Sequence, residues 1–471
     1  MFSGIKLLPV SLLFCGMAFA QTPFPLDLSG NTPPFLKPNE IREDLQNLQG
    51  VLERNYVRTP ILAQKGVNWA QVLGSLERRL GANPNPILTH HFQEQLAQAL
   101  TVTQDSQIQT DLMVQKRHYH FQVEPLVPFT SRLPLVLEEG RHRVLPNNPA
   151  PQAANKWLIG CEGSRHELFP TPPERANEER FVLGVRAQQN PPALKCAFED
   201  ELGRSQTIEL PLLLPPAPRN GNAVPIFEHR GGKVNYVRWY RDGSLEERET
   251  FLFQRLAREL RPSRTLVLDV RGNHSGSFGF IERWLREMTQ DDWQNVILRE
   301  WQSRETLEGL VHRLEWLERN TGQSTRLVRQ AWQQKKQQLQ ALIDRNAENE
   351  IPAKWVETKF LFSGNNQAPA WNKRLIVVAN RHCGDGCQFL VALTRQVNGA
   401  VLLGAETGPF PQASILPMYQ LPRSKVMITL SHFLHLDHLQ TPVAPTGYAP
   451  DFWLFDDNPE PEILRFAASL P

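Results

Sequence analysis

The run Leu375-Ile-Val-Val-Ala379, the turn Asn380-Arg-His-Cys-Gly-Asp-Gly-Cys-Gln388 and the strand Ala400-Val-Leu-Leu403 decide the fold. Five consecutive apolar residues, three of them β-branched, read as a strand covered on both faces. A helix from about Gln388 to Val397 follows the turn and is stopped by Asn398-Gly399. Strand, helix and strand in this order make a unit of parallel sheet. Upstream, Leu266-Val-Leu-Asp-Val270 is a second mostly apolar run. It is preceded by a strand at Val234-Asn-Tyr-Val-Arg-Trp239 and a helix from about Leu245 to Leu260. The second half of the chain is therefore expected to form an α/β core.

Working outward, Leu307, Leu310, Val311, Leu314 and Leu317 line one helix, and Thr325 to Asn346 form another, rich in Gln, Lys and Arg. These helices are expected as a solvated hairpin on the rim of the core, or as a lid over a groove. Near the N-terminus Ile41, Leu45, Leu48, Leu52 and Tyr56 share a helical face. Trp69, Val72, Leu73, Leu76 and Leu80 repeat the pattern, and Phe92, Leu96 and Leu100 mark a third helix. From His118 to Leu214 the pattern changes to short alternating runs broken by Pro, Gly and Asn, as in an all-β module. The expected organisation is a leader at 1–20, a Pro-rich lead at 21–38, a helical domain at 39–117 and a β-rich module at 118–214. A linker at 215–222, the first part of the core at 223–295, a helical insertion at 296–350, the second part at 351–455 and a tail at 456–471 complete it.

With 471 residues the chain suits roughly three domains. Lys plus Arg number 51 and Asp plus Glu 49, with no block of like charge, which argues against binding of nucleic acid by bulk electrostatics. The 38 prolines disfavour a plain helical bundle. Beyond the N-terminus no stretch approaches the ~20 apolar residues of a membrane span. Lys6, the apolar run Leu7 to Phe19 and Ala18-Phe19-Ala20 form a secretory signal pattern, so cleavage after Ala20 and export to periplasm or medium are expected. Cys15 raises a lipoprotein alternative, which the bulky Phe14 before it disfavours.

The mature chain would keep Cys161, Cys196, Cys383 and Cys387. An even count in an oxidising compartment reads as two disulfides, and the local pairings Cys161–Cys196 and Cys383–Cys387 are expected among three connectivities. Zinc at the second pair, with His382 and Asp385, is the sharper alternative, but no second cluster accompanies it. A thiol site with Cys383 as nucleophile beside His382 is a further one. No metal and no cofactor is expected.

Two turns follow buried strands, where α/β folds place ligands. In Asp269-Val-Arg-Gly-Asn-His-Ser-Gly276, the glycines permit tight turning and Asp269, Arg271 and Asn273 read as turn support. The second turn is Asn380 to Gln388. Leu266 to Gly276 resembles the "LDLRgNpGG" strand-turn of the tail-specific (C-terminal processing) protease family. Asn380 to Gly404 is similar to that family's nucleophile segment, and Gly447-Tyr-Ala-Pro-Asp451 resembles its late "G-x-x-PD" turn. The resemblance covers about half the chain, in 225–295 and 370–455. It implies an α+β multidomain protein with a ClpP/crotonase-like α/β protease core beside the N-terminal helical segment and the β-rich module. It also implies serine-type peptidase chemistry on extended polypeptide ends.

Aligned without gaps on Gly404, the family's serine falls on Asp385 and the following oxyanion-hole position on Gly386. The family's usual glutamate becomes Gln388 and its lysine Phe410. Ser275 replaces one glycine of the first turn, while Gly276, expected near the oxyanion hole, remains. A carboxylate cannot readily open an acyl-enzyme route on an amide, and general-base help alone supplies only about 10²–10⁴-fold. Ser275 is the relocated nucleophile to test; Ser277, Ser414 and Ser431 read as turn or solvent hydroxyls. His432, His435 and His438 recur every third residue, but the strand-like Val426-Met-Ile-Thr-Leu430 before them favours a His-rich edge over a metal site. The reading is an exported, non-catalytic member that binds polypeptides. An active peptidase with a relocated or carboxylate-based site, and a thiol-redox or metal protein, are the alternatives.

Overall fold

The computed structural model describes residues 32–82, 84–114, 117–163, 166–174, 178–214, 227–239, 247–273, 278–290, 293, 296–320, 326–345, 353–360, 373–408, 415–456 and 458–470. The expected leader and the linker at 215–222 lie outside them.

A six-stranded sheet forms the core, in the order Phe227–Arg230, Asn235–Trp239, Thr265–Asp269, Arg374–Ala379, Val401–Gly404 and Phe452–Trp453. The first pair is antiparallel and all the others are parallel. The apolar runs are buried on both faces because alternate residues serve different layers. Leu266, Leu268, Leu375 and Val377 pack with Trp284, Leu285, Phe389 and Leu393 of the helices Phe278–Thr289 and Asp385–Thr394. Val267, Ile376, Val378 and Leu403 pack on the other side with Ile463 and Phe466 of the helix Glu460–Ser469. The expected strand–helix–strand unit is present; its helix starts at Asp385, three residues before the position read from the sequence.

The N-terminal helices Pro38–Asn55, Trp69–Gly81 and Thr89–Leu100 bury Leu45, Leu48, Leu73, Phe92 and Leu96 in one core. That core is closed by a four-stranded sheet in the order Met418–Gln420, Met427–Thr429, Gln109–Val114 and Arg117–Gln122. The hairpin therefore straddles the boundary expected at 117/118 and pairs with strands more than 300 residues later. Asp44, fully buried in the first helix, holds the late strands in place: its two carboxylate oxygens accept the Arg423 and Ser424 amides, each at 2.8 Å.

Seven antiparallel strands between Val127 and Leu210 make the β-rich module. Cys161 and Cys196 are directly paired across two of its strands and are disulfide-bonded. The module meets the core where Phe169 packs edge-on against Trp453 and Phe455. The two helices expected in the insertion run Arg304–Asn320 and Arg326–Arg345 and pack together through Leu307, Leu314, Leu339 and Ile343. The insertion opens, however, with the strand Val296–Gln302, which lies between Lys354–Phe360 and Phe433–Leu436 in a three-stranded sheet.

Candidate functional site

At the carboxyl end of Arg374–Ala379 the chain turns through Asn380–Gly384 and enters a helix at Asp385. Gly384 is the N-cap, in extended conformation and without a side-chain cap. The first-turn amides at 385 and 386 thus stand at a helix start, where backbone N–H groups and the helix dipole favour negative charge. Cys383 and Cys387 are both fully buried and joined by a disulfide, which closes the elbow as expected. As a buried disulfide the pair offers neither a thiolate nucleophile nor zinc ligands.

Asn380 ties the two turns together. Its Oδ1 accepts the Gly272 amide and the His382 amide, each at 3.1 Å. Behind Gly272, the fully buried Asp269 accepts two hydrogen bonds from the Arg271 guanidinium, at 2.9 and 2.7 Å, and one from the Tyr236 hydroxyl at 2.6 Å. Arg238 Nε lies 3.6 Å away. Burial alone would raise the Asp269 carboxyl, but the Arg271 charge, the Arg271 and Tyr236 hydrogen bonds and Arg238 outweigh it and hold it below the usual carboxylate range. Burial and the same carboxylate push the Tyr236 phenol up. Asp269 and Arg271 therefore act as support for the turn. Asn273, also fully buried, donates its backbone N–H to the Val270 carbonyl at 3.1 Å.

The segment after Val401–Gly404 folds back onto the elbow. Gly404 has φ +113°, and any Cβ there would collide with the Ala379 carbonyl oxygen. The Gly408 amide donates to the Cys383 carbonyl at 2.8 Å. Gln388, fully buried at the position where the resemblance places a glutamate, donates its amide to Thr407 Oγ1 at 3.1 Å. The Tyr448 amide reaches the same oxygen at 2.8 Å. Arg186 of the β-rich module and Arg381 of the elbow both pair with the buried Glu406, at 2.5 and 3.4 Å. Burial pulls the Arg381 guanidinium down and Glu406 partly offsets it. In the late turn, Asp451 accepts the Leu402 amide at 2.7 Å and Arg395 at 2.6 Å.

The side chain of Asp385, and Ser275, Gly276, Ser277, Phe410 and Ser414 altogether, lie outside the described residues. Gly386 is buried at the second position of the helix. Ser431 is neither a turn residue nor solvent-exposed: it is fully buried ahead of the strand Phe433–Leu436 and donates its hydroxyl to the Phe433 carbonyl at 3.1 Å. The edge strand Phe433–Leu436 carries His435, but His432 and His435 belong to the interior. Burial, reinforced by Lys335 and Arg58 respectively, brings them down to about 4 and about 3, so both rings are neutral at pH 7. Among the described residues, no three His, Cys, Asp or Glu donors converge around the elbow. Sequence reading did not assign Thr407, Tyr448, Arg381 or Glu406 to this site. Only the Asn-first spelling of the second turn signalled the bridging role of Asn380.

No protein-family model matches the chain, and no curated protein does. Solved structures do. Mature CPAF is 13% identical, with 92% of this chain and 95% of that chain covered and a TM-score of 0.39. The photosystem II D1 C-terminal processing protease is 12% identical, with 88% and 92% covered and a TM-score of 0.32. The tricorn protease is 10% identical, with 91% and 37% covered and a TM-score of 0.26. Proteases are thus among the structures this chain is similar to. At these scores the likeness transfers no activity.

Proposed function

We propose that this chain is an exported polypeptide-binding protein on a tail-specific-protease-like scaffold, with a ClpP/crotonase-like core and no intact serine–lysine chemistry. The observation that carries the reading is the elbow. A helix starts at Asp385, at the carboxyl end of a buried parallel strand, inside the ring closed by Cys383–Cys387. Asn380 pins that elbow to the glycine turn after Asp269. The motif alignment places the family's serine at residue 385 and its lysine at residue 410, where this chain has Asp and Phe. The nine residues from Asn380 to Gln388 hold no hydroxyl to form an acyl-enzyme and no lysine to activate one.

What remains is a set of main-chain donors at a helix start and a rigid turn, which suits recognition of an extended backbone. Asp385 adds a negative charge at the helix start, so a neutral stretch of peptide main chain fits better there than a terminal carboxylate. Two disulfides support an oxidising compartment, in keeping with the signal pattern.

The test is mature protein beginning at Gln21, incubated with unstructured polypeptides alongside Asp385→Ala and Ser275→Ala, with binding followed by fluorescence anisotropy. Micromolar binding without turnover is expected for all three. Cleavage by the parent but not by Asp385→Ala would mean a carboxylate-based hydrolase. Loss of cleavage only in Ser275→Ala would mean a nucleophile in the first turn. Either result, or no peptide binding, overturns the proposal.

A further inference from the structure

In the sheet that closes the N-terminal core, the hairpin Gln109–Val114/Arg117–Gln122 gathers three metal-binding side chains. Asp111 is directly opposite His120, and His118 lies two residues before His120. Cross-strand partners and residues two apart share a sheet face, so all three point the same way. His118 Nε2 and His120 Nδ1 each lie 2.9 Å from the same oxygen, Asp111 Oδ1. One ligand atom from each residue falls within 4.8 Å of the other two.

We infer that Asp111, His118 and His120 form a binding site for a divalent transition-metal ion, with zinc as the first candidate. Two imidazoles and one carboxylate are the donor set such borderline ions take. With metal–ligand bonds of about 2.1 Å, each imidazole nitrogen and the shared oxygen, 2.9 Å apart, would subtend close to a right angle, which leaves further positions open to water. The surroundings fit this use. Asp111 is almost wholly buried, and among the described residues its Oδ2 has no hydrogen-bond partner. Among the described residues, the other cationic side chain paired with it is Arg313, whose guanidinium lies 3.9 Å away and over the Trp316 ring. A buried carboxylate with one bare oxygen calls for more positive charge than that. The His118 and His120 side chains are 42% and 45% exposed, so an ion can reach them from solvent without opening the core. The Trp316 ring lies tilted beside His118, with ring centroids 5.9 Å apart.

Isothermal titration of metal-free protein with Zn²⁺ alone tests it. The wild type is expected to bind one ion, and His118→Ala and His120→Ala each to weaken binding at least about tenfold. Arg313→Gln is expected to tighten binding, because it removes a cation 3.9 Å from the carboxylate. Both histidines are exposed, so their variants should fold, which circular dichroism checks. Co²⁺ titration of the wild type adds a readout that needs no variant, through its visible d–d absorption. Zinc binding equal in the wild type and the His118→Ala/His120→Ala variant, or an Arg313→Gln effect of opposite sign, would leave only a hydrogen-bonded Asp–His cluster and sink the proposal.

Discussion

Asp269→Asn attacks the support beneath the first turn. In the native protein the carboxylate is fully buried and takes three hydrogen bonds of 2.6–2.9 Å from Tyr236 and Arg271, with Arg238 at 3.6 Å. An amide keeps the shape but removes the charge. It leaves a largely buried guanidinium without its counter-ion and turns one acceptor into a donor facing donors. Breaking a buried pair from one side costs about 3–5 kcal/mol. At a urea dependence of about 2 kcal/mol per molar, 3 kcal/mol moves the midpoint of core unfolding by about 1.5 M. The pH dependence gives a second reading. The folded carboxyl is held below its ordinary value, so its contribution is complete above the unfolded value of about 3.9 and is lost as pH falls through the folded one. The gap between wild type and variant should therefore stay constant from pH 8 to about 5 and close only below about 4. Urea melts followed by tryptophan fluorescence measure both. A gap under about 1 kcal/mol at pH 7, or one already closing near pH 6, would refute the argument that this ion pair organises the turn.

Three further outcomes follow from other parts of the structure. His432 and His435 fold as neutral rings with values near 4 and 3, against about 6.5 when unfolded. Stability should fall as pH drops below about 6.5, by up to ~1.4 kcal/mol per pH unit for each ring, until the folded values are reached. Melting temperature measured from pH 7.5 to 5 should show that slope, and His432→Gln/His435→Gln should flatten it even if it lowers the starting value. Thiol titration of denatured mature protein should find no free cysteine. Cys383→Ser/Cys387→Ser should cost about 2 kcal/mol in chain entropy for so short a loop. A free thiol pair at Cys383 and Cys387 would reopen the redox reading.

Local pattern was enough for local structure. The run Leu375–Ala379, the stop at Asn398-Gly399 and the helical spacing of Ile41 to Tyr56 each describe a segment whose buried face repeats with its own backbone period, so strands and helices could be placed within a few residues. The two disulfides were legible as well, because each cysteine's nearest neighbour along the chain, 35 residues away in one pair and 4 in the other, is its natural partner. The residues that build the candidate site were legible as turns but not as partners. Asn380 reaches the Gly272 amide across 108 positions of chain, and Arg186 reaches Glu406 across 220. His118 and His120 advertise a shared strand face. Their significance depends on Asp111 being buried opposite them, under a helix that starts at Arg304. Periodicity within a segment reports which face is apolar, because burial of that face is what stabilises the segment. Which segments become neighbours depends on the competition among all the apolar faces at once. Tertiary packing therefore decided that strands at 418–429 complete a sheet with residues 109–122, and that Asp44 holds them there.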